Sequence, residues 1–186
     1  MKKWSILLLV SMQMSLNAQD FVINASRVND LMTALSAFKE EDNISRVAFS
    51  DADLEARAFV MQKMREAGLE VSIDFSGNII GRRVGLDNGL KPIVLGSHID
   101  TVPEGGDYDG CVGSMAALEI AFTLQDLNIT TRHPLEFIIY SNEEGGVMGS
   151  RALAGTLTQE AFKVVNSTGY NMGEGIVRLG GDPSRV

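Results

Sequence analysis

The chain has 186 residues, of which 45% are hydrophobic and 22% charged, a balance typical of one globular domain. It carries 16 Lys and Arg residues against 24 Asp and Glu residues, and the formal net charge of −8 argues against nucleic acid or an anionic membrane as partner. Cys111 is the single cysteine, so no intramolecular disulfide can form.

The N-terminus has the order of residues that is typical of secretory signals. Lys2 and Lys3 give a basic start, residues 4–12 form an uncharged apolar run, and small residues offer a processing site after Ala18. The run is too short for a membrane-spanning helix, which needs about 20 residues. A core helix at the start of the chain is the alternative. The order predicts a signal peptide at residues 1–18 and an exported, periplasmic protein.

Helical and strand patterns alternate along the rest of the chain. Apolar residues at helical spacing predict a helix over 24–38, and Ser50 resembles a capping residue for a second helix that ends at Gly68. The later elements are strands at 71–75, 79–84, 92–96 and 135–140 and helices at 110–127 and 150–157. The strands at 92–96 and 135–140 are apolar enough to be buried on both faces. This alternation predicts an α/β sheet with helices on both faces.

Chemically active residues follow the two buried strands and precede the helix between them. The three loops are 97–100, which holds His98 and Asp100, the glycine-rich 105–110, and 141–146, which holds Glu143 and Glu144. Ligands collect at the carboxyl ends of strands in open α/β sheets. We therefore expect the three loops to meet at one rim.

A histidine with carboxylates is a ligand set for zinc or manganese. In an extended segment Asp100 lies on the same side as His98 and can fix its tautomer by accepting from the second ring nitrogen. Glu143 and Glu144 point in opposite directions if extended, so one can bind metal while the other holds a water. Adjacent buried carboxylates repel each other unless a cation is present.

Each of these residues also has a plain structural interpretation. A single histidine after a strand is commonly structural, a Glu-Glu pair is commonly solvated, and Asp-Gly is commonly a turn. His133 has no carboxylate partners in sequence and is predicted to lie at the surface, and Cys111 is predicted to be a small packed residue. The joint occurrence of the three loops, each beside a strand end, favours the metal site.

Several segments resemble the N-carbamoyl-L-amino-acid hydrolase and allantoate amidohydrolase branch of the aminoacylase/carboxypeptidase metallohydrolases. The spacing of eleven residues between His98 and Asp109 is similar to this branch, because related peptidases and deacylases have a longer insertion there. The resemblance runs from about Val28 to the end of the chain. The segments that carry it are 96–103, 105–110, 78–82, 142–145 and 149–155. The resemblance implies a three-layer α/β/α catalytic domain, incomplete in this chain, and a small-molecule substrate.

The same resemblance implies a role for each matching residue. His98 would bind one metal, Asp109 would bridge two divalent ions (Zn²⁺, Mn²⁺ or Co²⁺), and Glu144 would bind the second. Glu143 would be the general base and Asp100 the orienting partner of His98. The implied reaction is hydrolysis of a non-peptide C–N bond by a metal-bridged water.

The resemblance also implies metal ligands and a domain that residues 19–186 do not contain. Two further histidine ligands and a dimerisation domain are expected beyond Val186, and the full-length protein is expected to be a homodimer. We therefore expect these 186 residues alone to bind metal weakly and to turn over no substrate. A secreted metallopeptidase or deacylase of the same superfamily, and a non-catalytic remnant, are the alternatives.

Overall fold

The computed structural model describes residues 21–41 and 44–186, so the predicted signal peptide at 1–18 lies outside the described residues. The helices are α1 (Ala25–Leu35), α2 (Asp51–Glu66), α3 (Cys111–Asp126), α4 (Met148–Leu153) and α5 (Met172–Arg178), and the strands are β1 (Glu70–Ile73), β2 (Ile79–Arg83), β3 (Ile93–His98) and β4 (Leu135–Tyr140). Short 3-10 turns lie at Ala161–Lys163 and Pro183–Arg185. None of the helices in this described part is long and apolar enough to cross a membrane.

Helix α2 begins and ends as its sequence predicts. The Ser50 side chain accepts a hydrogen bond from the Asp53 backbone N–H, which satisfies one of the free donors of the first turn. Acidic residues occupy the first turn and basic residues the last, which complements the helix dipole. Gly68 then adopts a φ of 76°, a conformation that favours glycine after a helix end.

The four strands form one open sheet in the order β1-β2-β4-β3. Strands β1, β2 and β4 pair antiparallel, whereas β3 runs parallel to β4. The predicted α/β class is confirmed as a mixed α/β fold. Strand β4 spans residues 135–140 as predicted. The prediction that the strand at 92–96 is buried on both faces is wrong, because β3 lies at the edge of the sheet and Ile93 and Val94 are about half exposed.

The main core lies between one face of the sheet and the three long helices. Ile79, Phe137 and Ile139 point to this face from β2 and β4, and they meet Val60 of α2 and Met115 of α3. Alternate residues of a strand share a face, so the odd-numbered positions of β4 are buried here. A second, smaller core contains Phe49, Met148, Met172 and Ile176. Through it, α4 and the unpredicted α5 pack beside the start of α2.

Buried charged residues fix the positions of the helices. Glu119 of α3, whose side chain is fully buried, accepts from Arg27 of α1 with an Nε–Oε2 distance of 2.5 Å. Arg46, 1% exposed, donates to the carbonyl oxygens of Leu35, Phe38 and Ile99. The Arg46 guanidinium therefore joins the end of α1 to the loop that follows β3.

Candidate active site

The parallel pairing of β3 and β4 brings two of the predicted loops together. His98, the last residue of β3, is in register with Tyr140, the last residue of β4. The segment holding Glu143 and Glu144 therefore begins beside His98. Ser114 of α3 donates to the His98 carbonyl oxygen at 2.8 Å, which ties the start of α3 to the same strand end.

The third loop approaches His98 through a glycine. Gly110 precedes α3 with a φ of 64°, and a Cβ at this position would lie 2.4 Å from the imidazole ring. Only glycine allows this close approach. Lys39 of the segment after α1 donates to Asp107 Oδ2 at 3.1 Å and so restrains the loop from outside.

The His98 imidazole is 6% exposed, and both of its nitrogens face oxygen atoms. Nδ1 lies 3.0 Å from the Asp100 backbone carbonyl oxygen, whereas the Asp100 carboxylate lies 3.7 Å away. The carbonyl therefore takes the place that we predicted for the carboxylate. A carbonyl oxygen only accepts, so Nδ1 carries a hydrogen, and in the neutral ring Nε2 then presents its lone pair. Nε2 faces Glu143 Oε2 at 3.5 Å.

Asp100 is buried and connects the two strand-end loops. Its Oδ2 accepts from the Glu144 backbone N–H at 3.1 Å. Burial raises the pKa of the Asp100 carboxyl to about 7, and the neighbouring buried carboxylate of Asp53 acts in the same direction, while His98 opposes both. Burial likewise raises the pKa of Asp53, against the favourable charge of Arg57.

The structure brings the predicted site residues together only in part. The Glu143 side chain contacts His98, whereas Glu144 lines a cavity together with Asp100. Asp109 is exposed in the loop before α3. Within the described ranges 21–41 and 44–186, no group of three His, Cys, Asp or Glu side chains is arranged to hold a metal ion. The ligand assignment of His98, Asp109 and Glu144 stays a prediction.

Of the two residues given plain interpretations, His133 lies away from these contacts, whereas Cys111 directly follows Gly110 and its thiol lies 3.9 Å from the Ile99 carbonyl oxygen. His133 Nδ1 pairs with the Lys91 carbonyl oxygen at 2.8 Å, remote from His98. Cys111 is fully buried, as predicted, and burial raises the pKa of its thiol.

Sequence reasoning missed a small cavity next to Glu144. It has a volume of about 200 Å³, and its walls include Asp100, Glu144, Asn142, Val47 and Val102. Asn142 has a φ of 46°, which is uncommon outside glycine. An asparagine directly before the Glu pair was visible in the sequence, but its conformation and the approach of Val47 depend on tertiary packing.

Residues 78–176 match the family described as Peptidase family M28. The chain belongs to this family.

The M28 chain resembles amidohydrolases in particular. It is 37% identical over 148 residues to an N-carbamoyl-L-amino acid amidohydrolase of Geobacillus stearothermophilus. This alignment covers 77% of this chain and 36% of that protein. It is 34% identical over 163 residues to a ureidoglycolate hydrolase of Arabidopsis thaliana. This second alignment covers 83% of this chain and 34% of that protein. The resemblance inferred from the motifs is thereby confirmed.

A solved structure gives the same result for the fold. A hydantoinase/carbamoylase family amidase from Burkholderia ambifaria superimposes with a TM-score of 0.79 at 34% identity, over 85% of this chain and 41% of that chain. The M28 chain thus spans between 34% and 41% of the length of these three relatives.

Proposed function

We propose that the protein containing this chain is a metal-dependent hydrolase of non-peptide C–N bonds in linear amides. Its substrates would be N-carbamoyl amino acids, ureido acids or allantoate. The names of the relatives support the reaction class, since they include amidohydrolases of N-carbamoyl-L-amino acids and a hydrolase of ureidoglycolate. The contact between His98 and Glu143 carries the proposal for this chain's own residues.

That contact fits a divalent cation. The lone pair of His98 Nε2 faces Glu143 Oε2 at 3.5 Å, and neither atom can donate when the imidazole is neutral and the carboxylate ionised. Two facing acceptors need a cation or a proton between or beside them. Imidazole and carboxylate together suit zinc, manganese or cobalt. His98, Asp109 and Glu144 would hold two such ions, and the ions when bound would activate a water and polarise the substrate carbonyl.

The chain's own residues would do the proton transfer and the positioning. Glu143, about one-third exposed, can take a proton from the attacking water and pass it to the leaving nitrogen. The Asp100 carbonyl oxygen would hold the His98 ring in the tautomer that keeps Nε2 free. For an N-carbamoyl amino acid, the products would be the free amino acid, ammonia and carbon dioxide.

A metallopeptidase or deacylase is the second candidate, because the matching family is named for peptidases. The two candidate functions differ in the substrates that the protein would cleave. We would purify the full natural product that contains these residues, load it with Zn²⁺, Mn²⁺ or Co²⁺, and measure ammonia release from N-carbamoyl-L-alanine, ureidoglycolate and allantoate. Dipeptides and N-acetyl-L-alanine would be assayed in parallel. Cleavage of dipeptides without ammonia release from any ureido compound would overturn the proposal.

We also propose that residues 1–18 are a signal for export to the periplasm and that the full-length protein is a homodimer. For these 186 residues alone we propose no turnover, because the chain spans 34–41% of the length of its relatives and the resemblance implies further metal ligands outside it. Ammonia release by the isolated 186-residue protein at the rate of the full product would contradict this.

A further inference from the structure

Asn142 combines burial with a side-chain oxygen that accepts no hydrogen bond from the fold. It is 3% exposed, and its Nδ2 has only a long contact to Met148 Sδ, at 3.8 Å. Its Oδ1 accepts no hydrogen bond from any residue in the described ranges. Asn78, which is fully buried, donates to Asp74 and Ser76 and accepts from Ser141. Among the described residues, the fully buried side-chain atom without a hydrogen-bond partner is Asp107 Oδ1, so Asn142 Oδ1 keeps some accessible surface and, in the wall of the cavity, is open to a ligand.

The turn after β4 does not require the Asn142 side chain. Its backbone carbonyl oxygen, not its amide, accepts from the Met148 N–H at 3.1 Å. The left-handed φ of 46° would suit glycine better than asparagine. Gly145, in turn, leaves room for the amide, because a Cβ there would lie 1.9 Å from Asn142 Oδ1. Non-glycine residues held in this region of φ are concentrated at functional sites.

The cavity beside Asn142 has a definite chemistry. Two carboxylates, Asp100 and Glu144, lie in its wall, together with apolar groups that include Val47 and Val102. With Glu144 assigned to a metal, Asp100 and Asn142 still present acceptor oxygens in this wall, and acceptor oxygens favour a small neutral group that donates hydrogen bonds. At about 200 Å³ the cavity is large enough for the end of a small substrate.

We propose that Asn142 is a substrate-positioning residue that accepts an N–H of the terminal ureido –NH₂ through its amide oxygen. The inference rests on the proposed function and assigns the cavity to the ureido end of the substrate. The substrate carboxylate then points away from Asp100 and Glu144. An N-acetyl analogue has a methyl group where the carbamoyl compound has –NH₂, and it leaves the Asn142 oxygen unpaired. Asn142 is therefore a determinant of carbamoyl over acetyl specificity.

The test compares two substitutions of asparagine by glycine in the full natural product. Asn142→Gly removes the amide and relieves the left-handed backbone, so the variant should fold with an unchanged or raised thermal midpoint. Asn128→Gly is the matched control, because Asn128 also has a left-handed φ, of 51°, but is exposed at the end of α3. We would measure kcat/KM for N-carbamoyl-L-alanine and N-acetyl-L-alanine with the wild type and both variants.

The expected result is a change in specificity. Asn142→Gly should lower kcat/KM for the carbamoyl substrate about tenfold or more and leave that for the acetyl substrate within about twofold. Asn128→Gly should change neither. Equal losses on both substrates, or no loss on either, would overturn the assignment of Asn142.

A binding measurement distinguishes failure of this inference from failure of the proposed function. If the wild type releases no ammonia from any ureido compound, the proposed function fails. Calorimetric titration of N-carbamoyl-L-alanine then decides the inference by itself. Binding that is about tenfold weaker in Asn142→Gly than in Asn128→Gly supports it. Equal affinity, or no binding to the wild type, overturns it.

Discussion

The imidazole of His98 packs directly against the Cα of Gly110, with no space for a side chain between them. A Cβ at position 110 would lie 2.4 Å from His98 Nε2, the nitrogen that faces Glu143. Position 110 thus controls access to the lone pair with which His98 would bind metal. Position 110 therefore requires glycine for two reasons, the close contact with His98 and the left-handed φ of 64°.

Gly110→Ala should therefore weaken metal binding. The new methyl group would displace the imidazole, and disturbance of groups around a metal ligand commonly costs about 10–100-fold in affinity. Titration of the apo full-length product with Zn²⁺ against a competing chelator measures the change. Gly106→Ala is the control, because Gly106 also has a positive φ but no atom lies within 4 Å of its Cβ position. Equal affinities in the two variants would refute the role of Gly110.

Glu119 should contribute more to stability than a neighbouring acid that contacts the same guanidinium. Arg27 donates to buried Glu119 and to Asp126, which is 56% exposed. Glu119→Gln should lower the free energy of unfolding by about 1.5–3 kcal/mol, as expected for buried hydrogen bonds to a charged group. Asp126→Asn should lower it by about 0–1 kcal/mol. Urea denaturation measures both, and an equal or larger loss for Asp126→Asn would contradict the account.

The same pair predicts a pH dependence. Burial raises the pKa of Glu119, but the hydrogen bonds from Arg27, Thr123 and the Asn24 backbone N–H, together with the charge of Arg27, outweigh burial, and the net pKa is lowered. A carboxyl group with a lowered folded pKa contributes stability above its unfolded pKa of about 4.3, and this is lost as pH falls through the folded value. The difference in stability between wild type and Glu119→Gln should be largest near pH 7 and shrink below about pH 4. A constant difference from pH 7 to pH 3 would exclude this origin.

Arg46 should be sensitive even to a conservative change. Its guanidinium is buried and donates to three carbonyl oxygens, and one ammonium group cannot reach all of them. Arg46→Lys should lower the free energy of unfolding by about 3 kcal/mol through unpaired buried groups. Arg132→Lys, at an exposed position, should change it by less than about 0.5 kcal/mol. Similar urea midpoints for the two variants would disprove the role of Arg46.

Local signals predicted much of the fold. The Ser50 cap set the start of α2, and the apolar run of β4 set its bounds, because both depend on neighbouring residues. The burial of β3 was predicted wrongly, since an apolar strand at a sheet edge and one at its centre have the same composition. Helix α5 was missed because it has only seven residues and two glycines, and its stability comes from packing against Phe49 and Met148.

The candidate site was predicted as a set of residues, and its contacts were not. The expectation that the segments with His98 and Glu143 begin at one edge agrees with the parallel pairing of β3 and β4, while the roles of the two residues stay predictions. The choice between carbonyl and carboxylate of Asp100 depends on how the backbone turns after β3. The position of the Asn142 side chain depends on the left-handed backbone conformation at this residue. Neither conformation has a unique sequence pattern.

The most direct test of the central claim is the substitution Glu143→Gln in the full natural product, with metal content and turnover of N-carbamoyl-L-alanine measured on the same sample. The amide keeps the size of the side chain but cannot take a proton. We predict that kcat falls about 10²–10⁴-fold while bound metal stays at the wild-type level. The exposed Glu160→Gln serves as control and should change neither quantity. Wild-type turnover by Glu143→Gln would contradict the assignment of Glu143 as the general base.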